Sequence, residues 1–241
     1  MSRHSHWAKI KRAKGTEDAK RAGAFTKLSR AITVAAREKG TDPAMNFKLR
    51  LAIDAARGAN MSNDTIDRAV ARAGGVGGAG ELFEATYEAM GPGGVAFIIE
   101  AVTDSRNRTS SNVKAFLSKH GGALAGVGAI TWQFDHRGVI RVGIDSLPKN
   151  RESFELSLID NGADDVREEE GGLTVTTPPD GFQKMVEFLH AQNITPEYSS
   201  VDWIPKNSVT VDNPDARKEL DALTEACDAD DDVTNVATNE A

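Results

Sequence analysis

Apolar residues recur at helical spacing through the first 73 residues and at strand spacing after residue 82. Thr16-Glu17-Asp18 offers a cap and first-turn acids for a helix that runs to Lys39, with Gly40 as its stop. At 100° per residue, Phe25, Leu28, Ile32, Ala35 and Ala36 share one face of it, and Lys20, Lys27, Arg30 and Arg37 share the other. A second helix follows Pro43, roughly from Asn46 to Arg57, with Phe47, Leu51 and Ala55 inward. Ser62 begins a third, with an apolar stripe of Ile66, Ala69, Val70 and Ala73, and with Arg68 and Arg72 one turn apart on the outer side. Gly74-Gly75-Val76-Gly77-Gly78-Ala79-Gly80 then breaks the pattern and reads as a flexible linker.

Beyond the linker, Phe83 to Met90 and Val95 to Thr103 read as strands joined by Gly91-Pro92-Gly93-Gly94. Asn107 to Lys119 reads as a helix with Val113, Phe116 and Leu117 inward, and Ala129 to Phe134 as a strand. A second unit follows, with strands 138–144, 165–168, 173–177 and 197–204 and helices 151–160 and 181–192. Its order, βαββαβ, is that of a ferredoxin-like sandwich, complete between about 137 and 204. The first α/β unit is left short of elements, and 208–211 with a helix from Pro214 to Cys227 complete it if the ferredoxin-like unit is an insertion. The expected domains are therefore 1–80 (linker 74–80), 81–136 with 205–228, and 137–204. The polar, acidic stretch 229–241 is expected to be a disordered tail.

Charge changes this picture. The chain has 241 residues and a net charge of −7. Residues 1–80 carry 16 Lys and Arg against 7 Asp and Glu, a net of +9, and the remainder carries −16. A basic module on an acidic body fits a polyanionic partner at one end only, nucleic acid being the commonest. Trp7 can stack on a base, and Lys9, Lys11, Arg12, Lys14, Lys20, Arg21, Lys27, Arg30 and Arg37 can contact phosphates. The competing reading is a cationic face that docks on the protein's own acidic body.

The search for chemistry is largely negative. The sequence has no GxSxG, no HExxH, no P-loop and no GxGxxG in a strand-to-helix setting. The lone Cys227 excludes an internal disulfide framework and reads as a packing residue. If Met1 is removed, the Ser2-Arg3-His4 terminus can bind Cu(II) or Ni(II) in a square plane, but such termini arise by chance. No metal, cofactor or small-molecule substrate is expected. No apolar run reaches the roughly 18 residues of a membrane span. The N-terminus lacks the apolar stretch of a secretory signal, so a cytoplasmic protein is expected.

His4-Ser5-His6-Trp7-Ala8-Lys9-Ile10-Lys11, Asp18-Ala19-Lys20-Arg21, Phe25-Thr26-Lys27-Leu28 and Asn46-Phe47-Lys48-Leu49-Arg50 resemble the N-terminal signature of the YebC family. The likeness continues at Tyr87-Glu88-Ala89-Met90-Gly91-Pro92-Gly93-Gly94-Val95 and from Glu100 through Thr109. Arg3, His6 and Lys9 stand where the family usually has glycine, lysine and asparagine. The resemblance implies an α+β protein of three domains: a helical N-terminal domain and two α/β sandwiches, the last ferredoxin-like and inserted in the middle one. It also implies a non-enzymatic, DNA-binding transcriptional regulator, or else a ribosome-associated translation factor that binds ribosomal RNA and relieves stalling at proline-rich stretches. Gly91, Pro92, Gly93 and Gly94 with Arg106 and Arg108 form a possible second contact loop. An enzyme using a cleft between the α/β domains and a protein-interaction adaptor are the rival function classes. If those lysines and arginines fold inward and are neutralised by trunk carboxylates, the nucleic-acid reading collapses.

Overall fold

The computed structural model describes residues 19–74, 82–169 and 171–241. In chain order the helices are α1 (Ala19–Lys39), α2 (Phe47–Gly58), α3 (Asn63–Ala73), α4 (Arg106–Lys119), α5 (Arg151–Asp160), α6 (Phe182–Ala191) and α7 (Pro214–Ala229). The strands are β1 (Phe83–Met90), β2 (Ala96–Thr103), β3 (Ala123–Leu124), β4 (Phe134–Gly143), β5 (Asp165–Glu169), β6 (Gly172–Thr177), β7 (Tyr198–Pro205) and β8 (Val233–Thr238). The fold is α+β: a helical region followed by two four-stranded sheets. Of the described residues, those from 19 to 133 and 205 to 241 cluster as one compact unit, and those from 134 to 204 belong to another.

Helices α1 to α3 close around Ile32, Ala35, Ala36, Leu49, Ile53, Ala56, Ile66 and Ala69. The alanines let the three helices approach closely, and α1 packs on both of the others. Gly40 ends α1 with φ of 95°, a conformation that favours glycine. The inward face of α2 is Leu49, Ile53 and Ala56, not Phe47, Leu51 and Ala55 as the periodicity predicts. Both sets are helical stripes, and a buried cap selects between them. Asn46 is fully buried at the N-cap. Its Oδ1 accepts from the Leu49 N–H at 3.0 Å, and its Nδ2 donates to the carbonyls of Ala35 and Gly40 at 2.7 Å each. Ser62 is the N-cap of α3, but its hydroxyl meets the Thr65 hydroxyl at 2.9 Å instead of a backbone amide.

In the same unit the sheet order is β3-β1-β2-β8, every neighbour antiparallel. Helices α4 and α7 supply Val113, Leu117, Leu220, Leu223 and Cys227 to a core completed by Phe97, Ile99 and Val233. The β1–β2 connection needs its glycines: a Cβ on Gly91 would lie 2.5 Å from the Phe97 ring, and Gly93 has φ of 71°. Residues 129–134 form no strand of their own. Thr131–Gln133 is a 3-10 turn, and Phe134 already belongs to β4. The cause is Glu88, whose carboxylate accepts from the N–H groups of Gly128, Ile130 and Thr131 at 2.6, 2.6 and 2.9 Å. Those donors are thereby removed from any ladder. Burial pushes the Glu88 carboxyl up, and the three backbone bonds outweigh it, so its pKa is lowered.

Nor is 229–241 a disordered tail. Helix α7 runs to Ala229, and β8 pairs with β2 from Phe97↔Thr238 to Ala101↔Val233. Val233 is fully buried, and Asn239 Oδ1 accepts from the Ala96 N–H at 2.8 Å. The acidic residues cluster before the strand, so average composition concealed the Val-Thr-Asn-Val-Ala-Thr alternation after them.

The other unit is a split βαβ sheet, β5-β6-β4-β7, with β6 antiparallel to both β4 and β5. Helix α5 packs against β5 and α6 against β4. Phe154, Leu158, Phe182, Met185 and Leu189 are the buried residues of these helices that seal it.

Asn46→Ala removes the cap and strands the buried Ala35 carbonyl, so it should destabilise the helical region by about 2 kcal/mol. Urea unfolding followed by circular dichroism checks this, and an unchanged midpoint would show that the cap does not set the phase of α2.

Candidate nucleic-acid interface

The cationic residues expected to face a partner divide into three groups. Trp7, Lys9, Lys11, Arg12 and Lys14, together with His4 and His6, lie outside the described residues. Lys20 and Arg21 lie in the first turn of α1. Lys27, Arg30 and Arg37 lie further along α1, Arg37 half-buried.

Two of these cations dock on the protein itself. The Lys27 ammonium donates to the carbonyl of Asp228 at 2.5 Å, in the last turn of α7, where the helix dipole favours a cation. Desolvation lowers the Lys27 pKa, against the opposing pull of Asp228, Asp230 and Asp231. Arg30 forms an ion pair with Asp232. The same Nη1 donates to the carbonyls of Asp231 at 3.0 Å and Val102 at 3.1 Å.

Asp232 is the centre of this cluster and is only 3% exposed. From α4, Arg108 donates to Oδ2 at 2.8 Å and Thr109 donates to it at 2.7 Å. Thr103, at the end of β2, donates to the same oxygen at 3.2 Å. Burial would raise this carboxyl; hydrogen bonds from Arg108, Thr109 and Arg30, with the charge of Arg30, hold it down to about 2. The sequence reading missed Asp232, because it is one of four aspartates among the six residues 228–233, and charge alone does not distinguish them. The one available signal was the Val233 strand start next to it.

The second contact loop is not one site. Arg106 stacks over the Phe83 ring at 4.8 Å, and Arg108 pairs with Asp104 and Asp232. Phe83 is registered with Thr103, whereas Gly91–Gly94 turn the opposite end of the hairpin. Eight strand residues separate the two ends, about 23 Å. Gly91 and Pro92 are buried, so only the tip of that turn meets solvent.

Cys227 is fully buried, and burial pushes its thiol up to about 12, which leaves it protonated and unreactive. His120 caps the end of α4 and meets Glu219 at 2.9 Å; His136 stacks on Trp203 with centroids 4.4 Å apart. No helix among the described residues is long and apolar enough to cross a membrane.

Asp232→Asn removes the charge that pairs Arg30 and Arg108 and should cost about 2 to 3 kcal/mol in denaturant unfolding. The folded-state pKa is depressed from the ordinary 3.8 to about 2. This carboxylate therefore contributes about 2 kcal/mol above pH ~4, lost as pH falls from ~4 toward ~2. The Asn variant should lack that part of the acid transition, and an identical acid transition in both proteins would contradict the assignment.

With this geometry in place, comparison with known proteins gives a consistent result. The model of the TACO1/YebC protein N-terminal domain matches residues 5–76, and that of the TACO1/YebC second and third domain matches 82–240. A probable transcriptional regulatory protein of Pseudothermotoga lettingae is 42% identical over 239 residues, covering 99% of this chain and 93% of the relative. One of Kosmotoga olearia is 41% identical over 244 residues, covering 99% and 94%. The crystal structure of a conserved hypothetical protein from Aquifex aeolicus superposes with a TM-score of 0.84 at 34% identity, covering 98% of this chain and 97% of that one. Two family models that together span nearly the whole sequence, and full-length relatives at about this identity, lead to one conclusion: the chain belongs to the TACO1/YebC family.

Proposed function

We propose that this protein is a nucleic-acid-binding regulator of gene expression, acting by binding and not by catalysis, with DNA as its target and the cytoplasm as its place of action. The observation that carries the reading is the charge division: +9 in residues 1–80 against −16 in the rest. The names of the full-length relatives, probable transcriptional regulatory proteins, support it. Lys27 and Arg30 are subtracted from the contact surface, since both already bind the trunk. The phosphate contacts then fall to Lys9, Lys11, Arg12, Lys14, Lys20, Arg21 and Arg37, and an indole such as that of Trp7 can stack on a base. The acidic remainder repels the duplex and leaves one end of the molecule to engage it.

A salt titration of full-length protein on a short duplex tests this. The logarithm of affinity should fall linearly with the logarithm of salt, by about 0.9 per phosphate contacted. Reversal of Lys9, Lys11, Arg12 and Lys14 to Glu should weaken binding at least tenfold. A slope near zero, or unchanged affinity in the reversed variant, would overturn the proposal. Crosslinking in cells identifies the target: promoter DNA supports the transcriptional role, and ribosomal RNA in its place replaces that role with one in translation.

A further inference from the structure

The connection from β3 to β4 presents an aromatic ring to solvent. Trp132 is 66% exposed, and Val127 in the same loop is fully exposed. An exposed apolar side chain is ordinary by itself; the way this loop is held is not. Glu88, only 7% exposed, gives both carboxylate oxygens to the N–H groups of Gly128, Ile130 and Thr131. The Trp132 indole N–H donates to the Ala129 carbonyl at 2.9 Å. The Trp132 carbonyl accepts from the Lys206 ammonium at 3.0 Å, and the Gln133 carbonyl from the Lys206 N–H at 2.9 Å. The loop is anchored on both sides of the ring, so a partner that meets the ring pays little to order it.

Two further observations point to what that partner is. The first is that the ring faces are open. Other rings carry a stacking partner: Arg50 lies over Phe47, Arg106 over Phe83, and His136 against Trp203. Among the described residues no cation or ring stacks on Trp132. Its N–H is already bonded within the loop, which leaves the π-face as its binding group. The second is local charge. Residues 81–241 contain 29 Asp and Glu, yet 120–133 and 205–211, the two segments that Lys206 joins, contain none. The carboxylate that the loop does bind, Glu88, is buried against three amides. An open indole with an ammonium on its own backbone, in an acid-free part of an acidic body, suits an unpaired nucleotide: the base stacks and the phosphate meets the cation. A stable protein interface buries about 800 Å² on each partner, far more than one indole and one valine supply.

We propose that Trp132 is a base-stacking platform, on which one unpaired base of the bound polynucleotide lies while its phosphate meets Lys206. The assignment rests on the nucleic-acid reading above and deepens it. A base stacked and paired inside a duplex has no free face, so the platform requires a target with a single-stranded stretch, and it lies outside residues 1–80.

Fluorine NMR of the full chain labelled with fluorotryptophan tests it. The resonance missing from Trp132→Phe belongs to Trp132, and it should shift when the wild-type sequence is titrated with a short single-stranded DNA or RNA. This readout is made on the native ring and does not depend on how a variant folds. By fluorescence anisotropy, Trp132→Ala should weaken binding of the single strand about fivefold or more with the salt slope unchanged, because a neutral ring releases no counterion. Trp132→Phe should restore part of the loss. Lys206→Gln should reduce the magnitude of the slope by about 1. A shift with DNA alone, or with RNA alone, supports the platform and identifies which polymer fills it. If the wild-type protein binds single strands and the Trp132 resonance stays in place, or if it binds duplex only, the platform is overturned while the nucleic-acid reading stands. If it binds no polynucleotide, the reading itself fails and the platform with it.

Discussion

A buried carboxylate loses several kcal/mol of hydration, and only charge-assisted partners in good geometry offset the loss. Asp232 has four such partners, drawn from separate elements: Arg30 in α1, Thr103 at the end of β2, and Arg108 and Thr109 in α4. Its own carbonyl accepts from the Val102 N–H at 2.8 Å, which ties the same residue to β2. One side chain therefore fixes the bundle, the sheet and the covering helix together. Removing Asp232 leaves the partly buried Arg30 without its counter-charge, whereas the half-exposed Arg108 keeps Asp104. The firm position of α1 against the sheet, and hence the direction in which its remaining surface points, follows from this contact.

The positive charge of the helical region consequently serves two purposes. On one side of α1, Lys27 and Arg30 complement the end of α7 and the Asp228–Asp232 connection. On α3, by contrast, Arg68 and Arg72 are exposed. A charge count treats these surfaces as equal. Packing divides them, and only the outward one is available to a partner. The trunk acids are likewise not uniform: Asp232 is a structural group, whereas the carboxylates of exposed pairs such as Arg167–Asp165 are screened by solvent.

The larger elements were legible in the sequence because their signals are local. Strand β1 and helix α5 coincide with their expected limits, since Gly91 and Asn161-Gly162 bound them. The βαββαβ order was readable for the same reason. What was not legible depends on contacts between distant residues. The phase of α2 is set by Asn46 reaching the Ala35 carbonyl, and the shape of 125–133 by Glu88, some forty residues earlier. The role of β8 depends on a partner strand more than a hundred residues upstream. The cationic face of α1 was predicted as one surface for the same reason: helical periodicity sorts residues by side, but it does not say which side meets another part of the fold.

The pairing of β2 with β8 has a consequence for synthesis. Strand β2 leaves the ribosome early, yet its neighbour is separated from it by the whole of β4 to β7 and by α7. The βαββαβ unit is contiguous and is free to fold while translation continues, but the middle sheet waits with one edge open. Until residue 232 emerges, Arg30 and Arg108 have no shared counter-charge, and the helical region lacks its tie through Asp232 to the sheet. A nascent chain interrupted before that point would expose the open edge of β2, a template for aggregation.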